Sequence, residues 1–124
     1  MRRRWASRSP TSTTERGHAA ERRVAWRYRL RGYRLLARNV RAGGVELDLI
    51  ARRGRRVVFV EVKEKRGPRY GDPLEAVDER KRRRLRRGAA AWLLAHPELA
   101  RLEPRFEFAA VRPGRIKIVA DPLH

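Results

Sequence analysis

Val57-Val58-Phe59-Val60-Glu61-Val62-Lys63 is the stretch on which the fold turns. Four apolar residues in succession, three of them β-branched, mark a core strand. That strand is predicted from Arg56 to Lys65. Just upstream, Arg53-Gly54 reads as a tight turn, and Val45 to Arg52 as the strand it reverses from. Arg41 to Gly44 is a second turn and Tyr33 to Val40 a first strand.

Outside this three-strand block the pattern changes. Ser12-Thr13-Thr14-Glu15 has the spacing of a capping box and opens a helix that Gly32 stops. Val24, Ala25, Tyr28 and Trp26 supply its apolar surface, and Glu21 falls on the same side as Ala25 and Tyr28. Downstream, Gly67 to Gly71 is a loop. Asp72-Pro73-Leu74-Glu75 starts a second helix that ends by His96-Pro97. Its other face carries Arg80, Arg82, Arg83, Arg84, Arg86 and Arg87. Arg105 to Arg112 and Arg115 to Val119 are strands four and five, turned at Pro113-Gly114. The order αβββαββ implies an α/β fold with a central mixed sheet flanked by helices. The expected organisation is a disordered basic arm over 1–11, a single domain over 12–120 and a short tail over 121–124.

The chain has 124 residues, with 33 Lys+Arg against 14 Asp+Glu and a formal net charge of +19. Solubility alone does not call for such an excess; a polyanionic partner, DNA or another nucleic acid, does. With no cysteine there are no disulfides and no thiolate metal sites or nucleophiles. No apolar run approaches the roughly 18 residues of a membrane span, and the basic N-terminus lacks the apolar stretch of a secretory signal. A cytoplasmic location is expected. A homodimer is one expected assembly.

Against this basic background, the acids on strands two and three stand out. Glu46 and Asp48 are two apart, as are Glu61 and Lys63, so strand parity points each pair to one face. A turn at Arg53-Gly54 sets Glu46 opposite Glu61, whereas a two-residue change of register sets Asp48 opposite Glu61. Either register gathers Asp48, Glu61 and Lys63. Facing carboxylates repel, and a hard divalent cation is the natural compensation. A lysine beside them suits phosphodiester hydrolysis. From spacing alone the same residues also suit an exposed strand face with a surface salt bridge.

Asp48, twelve intervening residues, then Glu61-Val62-Lys63 resembles the Asp-(n)-Glu-x-Lys signature of restriction-endonuclease-like nucleases. More of the chain resembles one family of that fold, the YraN-like bacterial proteins. The resemblance runs through Gly17-His18-Ala19-Ala20-Glu21, Gly32-Tyr33, Arg38-Asn39, Glu46-Leu47-Asp48-Leu49-Ile50-Ala51, Val58 to Lys63, and Tyr70-Gly71 with Pro73, Lys81 and Leu85. It covers about residues 15–119. It implies a Holliday-junction-resolvase-like α/β domain, Mg²⁺ or Mn²⁺ as cofactor, and Asp48, Glu61 and Lys63 as catalytic residues. It further implies Glu21, Asp48 and Glu61 as metal ligands. Two departures stand out: Val45 intervenes before Glu46, and the acid Glu64 follows Lys63.

The leading expectation is a metal-dependent DNA endonuclease, acting on branched or flapped DNA. Arg66, Arg69, Lys81, Arg84 and Arg87 are its expected backbone contacts. The alternatives are a non-catalytic nucleic-acid-binding protein of the same fold, or an accessory protein acting through a partner.

Overall fold

The computed structural model describes residues 12–64 and 79–121, with the side chains of the first helix described from His18 onward. The expected basic arm, the capping box side chains, the loop after the third strand, the Asp72 helix start, Arg66, Arg69 and residues 122–124 lie outside these limits. Helix α1 spans Ser12–Leu30, followed by strands β1 (Arg34–Ala42), β2 (Val45–Arg53) and β3 (Arg56–Glu64). Helix α2 is described over Glu79–Leu94 and is followed by a 3₁₀ turn, Pro97–Leu99, then by β4 (Glu103–Arg112) and β5 (Arg115–Ala120).

The five strands form one sheet in the order β1-β2-β3-β4-β5. β3 and β4 run parallel; the other neighbours are antiparallel. The sheet is therefore mixed and the order is αβββαββ, as the sequence pattern implies. Parallel neighbours need a crossover, and α2 lies in it.

Each helix covers one face. Ala20, Val24, Ala25 and Tyr28 of α1 pack on Leu49, Ala51, Val58, Val60, Ala109 and Val111. Leu85, Ala89 and Trp92 of α2 pack on Ile50, Val57, Phe59, Phe106 and Phe108. Val57 to Phe59 are fully buried and Val60 nearly so, because both faces of β3 are covered. Phe59 meets Trp92 edge-on at 5.9 Å and stacks on Phe106 at 5.8 Å.

The end of α1 shows how local chemistry sets the entry to the sheet. Gly32 has φ +91°; its N–H donates to Arg29 O and the Tyr33 N–H to Tyr28 O, each at 3.0 Å. These are the two bonds of a Schellman motif, and the Tyr28 and Tyr33 rings close it edge-on at 5.2 Å. All three hairpins turn on two residues, the last at Pro113-Gly114 between Arg112 and Arg115. Gly43 and Gly44 have φ +60° and +76°, the two positive values that a type I′ turn needs. Gly54 and Arg55 link β2 to β3, with Arg53 paired to Arg56.

Several expectations change. The hairpin centre lies one residue later than Arg53-Gly54, so Leu49 pairs with Val60 and the two-residue register change holds. Trp26 is 59% exposed and contributes nothing to the core; Arg29 stacks over its ring instead. Arg82 and Arg86 are not a solvent face. Both turn to Asp121, which is 1% exposed, at 3.4 Å and 3.0 Å. The Asp121 N–H also donates to Phe106 O at 2.8 Å, so the residue expected to begin the tail closes the sheet.

Candidate active site

The β2–β3 ladder stops at Leu49–Val60. Beyond that pair the strands part: residues 45–48 of β2 and 61–64 of β3 make a fork. Asp48 and Glu61 are the first residues past the last rung. The Val62 N–H, which a continuing ladder would give to a β2 carbonyl, donates instead to Asp48 Oδ2 at 2.8 Å. A carboxylate side chain thus closes the fork in the plane of the sheet.

A change of side-chain phase sets Asp48 there. Val45 and Leu47 pack on the α2 side, whereas Leu49 and Ala51 pack on the α1 side. All four are odd-numbered and would share a face in a regular strand. β1 shifts too: Asn39 sits at φ +52°, a left-handed conformation that Asn tolerates better than most side chains. The register is the same on either side, Arg38 with Leu49 and Val40 with Leu47. The phase changes between Leu47 and Leu49, at Asp48 itself, and Glu46 and Asp48 line the same cavity. On β3 parity holds. Val57 and Phe59 face α2, so Glu61 and Lys63 do as well, while Val58, Val60 and Val62 face α1.

A small cavity of about 180 Å³ opens at the fork, lined among the described residues by Val45, Glu46, Asp48, Glu61, Arg84 and Leu85. α2 comes this close because of Gly88. A Cβ on that residue would stand 2.9 Å from Leu47 Cδ2 and 3.1 Å from Val45 Cβ.

Glu21 enters from α1. It is 9% exposed, and among the described residues its Oε1 has no hydrogen-bond partner. The Asn39 amide stands within reach of the same carboxylate. Burial raises the Glu21 pKa, the Asn39 amide and the nearby Arg38 lower it, and Glu46 raises it. Burial also pushes Asp48 up, to about 7; the Val62 bond opposes the shift, and the charges of Glu21, Glu61 and Glu46 add to it. Four carboxylates from α1, β2 and β3 thus share one electrostatic neighbourhood. Among the described residues, however, no three acidic or histidine side chains are drawn together tightly enough to form a preassembled metal-holding group.

Of the residues singled out from sequence, Asp48 and Glu61 line the fork, Glu21 lies within electrostatic reach of Asp48, and Lys63 follows Glu61 on its face by strand parity. Arg84 lines the cavity, while Lys81 and Arg87 lie farther along α2, half-buried and exposed respectively. Asn39 was missed. Its signal was available: Asn39 faces Asp48 across the Gly43-Gly44 hairpin, and neither residue favours a strand interior. Val45, noted as a departure, pairs with Ala42 and packs under α2.

A family model described as "Uncharacterised protein family UPF0102" matches residues 20–119. The chain belongs to this family. It is 44% identical to a UPF0102 protein of Methylobacterium nodulans over 110 residues, covering 89% of this chain and 84% of the other. It is 49% identical to one from Syntrophotalea carbinolica over 84 residues, 68% of each. A relative from Symbiobacterium thermophilum is 44% identical over 118 residues, 87% of this chain and 95% of its own. The matched region of the family model contains Glu21, Asp48, Glu61 and Lys63.

Proposed function

We propose that this UPF0102 protein is a Mg²⁺- or Mn²⁺-dependent DNA nuclease, with branched or flapped DNA as its substrate. The observation that carries the reading is the acid fork. Glu21 holds a buried, unpartnered carboxylate oxygen beside an Asp48 pushed up to about 7, with Glu61 and Glu46 adding negative charge. Such a set is unfavourable left to itself, and a hard cation reverses the penalty. The donors are all oxygen, which fits Mg²⁺ or Mn²⁺. Glu21, Asp48 and Glu61 would hold the ion, which when bound supplies Lewis-acid polarisation and an acidified water.

This chain's own groups do the rest. Lys63, on the face of Glu61, sets an ammonium beside the phosphate oxygens as charge builds and helps orient the attacking water. Arg84 lines the same cavity and meets the DNA backbone. Lys81 and Arg87 on α2, with Arg66 and Arg69 after β3, extend that contact without reading sequence.

A second reading, a nucleic-acid-binding protein of this fold that does not cleave, is favoured by one observation: the carboxylates are not preassembled around an ion. One experiment separates the two. Purified full-length chain is incubated with junction, flap and duplex DNA, with Mn²⁺ or with EDTA. Metal-dependent cleavage should fall about a hundredfold or more in Asp48→Asn and Glu61→Gln. Cleavage that survives both changes places the chemistry elsewhere. Salt-sensitive binding without cleavage in any metal supports the second reading.

A further inference from the structure

A second, larger cavity lies between α1 and β1. Its volume is about 580 Å³, and among the described residues it is lined by His18 and Arg22 of α1 and by Arg38 and Asn39 of β1. We propose that this cavity binds a terminal phosphomonoester, the end of a nucleic-acid strand whose neighbouring part lies at the acid fork. The inference rests on the nuclease reading for what carries the phosphate.

Four features lead to this ligand. The space suits a nucleotide-sized group rather than a bare ion. Arg22 and Arg38 carry permanent charge, and no carboxylate appears among the described lining residues. Arg38 Nε is buried and, among the described residues, has no hydrogen-bond acceptor. A buried guanidinium N–H left unmatched is costly, and a tetrahedral oxyanion presents acceptors in the geometry that guanidinium forks match. Two fixed positive charges suit a phosphomonoester dianion better than a diester, which bears one charge.

Arg38 and Asn39 line the cavity, and both lie within electrostatic reach of Glu21. Glu21, within reach of Asp48 as well, thus links the two sites. Arg38 and Asn39 lie in the β1 segment that pairs with the Asp48 segment of β2, Arg38 with Leu49 and Val40 with Leu47. A strand end held on Arg22 and Arg38 would lie beside the bond addressed by the carboxylates.

The test is binding, measured in EDTA so that cleavage plays no part. Fluorescence anisotropy compares full-length chain on single-stranded oligonucleotides of one sequence, ending in a 5′-phosphate, a 3′-phosphate or hydroxyls only. One phosphorylated end should bind about tenfold tighter than hydroxyl ends, as charged hydrogen bonds to one added phosphate predict. Arg22→Ala, at an exposed helix position, and Arg38→Ala should each bring the ends near parity. Arg38→Lys keeps the charge without Nε and should restore the preference only in part. Arg115→Ala, at the exposed β4–β5 turn, should weaken every oligonucleotide alike. Competition by a deoxynucleoside monophosphate, lost in Arg38→Ala, supports the phosphomonoester class and assigns a free nucleotide as its source. Absence of any end preference, or a preference that survives Arg22→Ala with Arg38→Ala, overturns the proposal. An end preference in a chain that cleaves nothing sinks the nuclease reading and leaves this site standing; cleavage without end preference does the reverse.

Discussion

Asn39 and Asp48 stand opposite each other at the point where β1 and β2 change side-chain phase together while keeping their register. The two residues have divided tasks. Asn39 reaches Glu21 on α1, and Asp48 reaches the backbone of β3. An irregularity in one hairpin thus joins three elements at one site.

Asn39 has two roles that substitution can separate. Asn39→Gly keeps the positive φ and loses the amide within reach of Glu21; it should remain folded within about 1 kcal/mol of wild type. Asn39→Val meets strain at a left-handed position and should be destabilised by about 1–3 kcal/mol. Urea unfolding checks both. Equal stability of the two variants would show that the conformation carries no strain.

Asp48 makes the metal-free protein pH-sensitive. Its carboxyl holds a proton more tightly folded, at about 7, than at its ordinary 3.8. The stability that protonation contributes is therefore complete below 3.8 and is lost as pH rises to about 7. Glu21, also raised, acts in the same direction. In EDTA, Asp48→Asn should gain on the order of 2 kcal/mol relative to wild type between about pH 4 and about pH 8, allowing for partial solvent screening. Parallel stability profiles of the two proteins would contradict this.

Gly88→Ala sets two known effects against each other. A helical Gly→Ala change favours folding by about 1 kcal/mol. Here the new methyl meets Val45 Cβ at 3.1 Å, an atom tied to the β2 backbone. Overpacking of about 1–3 kcal/mol should win, and α2 should move off the fork, taking Arg84 with it. Thermal unfolding gives the sign; a stabilised variant would mean that the contact relaxes freely.

Asp121 holds Arg82 and Arg86 to the sheet from a buried position. Asp121→Ala removes the buried carboxylate that the two half-buried guanidiniums share, while Arg82 keeps Glu79 at 3.8 Å and Arg86 keeps the Phe106 ring, and should cost about 2–4 kcal/mol. A loss below about 0.5 kcal/mol, the range of an ordinary surface change, would show that the cluster is screened like a surface pair.

Much of this architecture is legible in the sequence, for identifiable reasons. Val57 to Val60 declares a doubly covered strand, Gly32 the end of α1, and the apolar spacing of Leu85, Gly88 and Trp92 the inner face of α2. Glu61 and Lys63 obey strand parity because β3 is regular. Asp48 was found, although β2 shifts phase beside it in a way that strand parity does not foresee. That shift depends on a matched irregularity in a partner strand, which no single-strand pattern contains. The exposure of Trp26 and the turning of Arg82 and Arg86 toward Asp121 were illegible for a related reason. Helical periodicity gives a direction for each side chain but not what waits there.

The central claim is that Glu21, Asp48 and Glu61 hold a divalent ion at the fork. Anomalous diffraction from a crystal of the full-length chain soaked in Mn²⁺ near neutral pH tests it directly. The expected result is an anomalous peak bonded to Asp48 and Glu61, with Glu21 drawn toward it, and no such peak in Asp48→Asn with Glu61→Gln. A fork without metal while Mn²⁺ occupies other positions, or a peak that persists in the double variant, would contradict it.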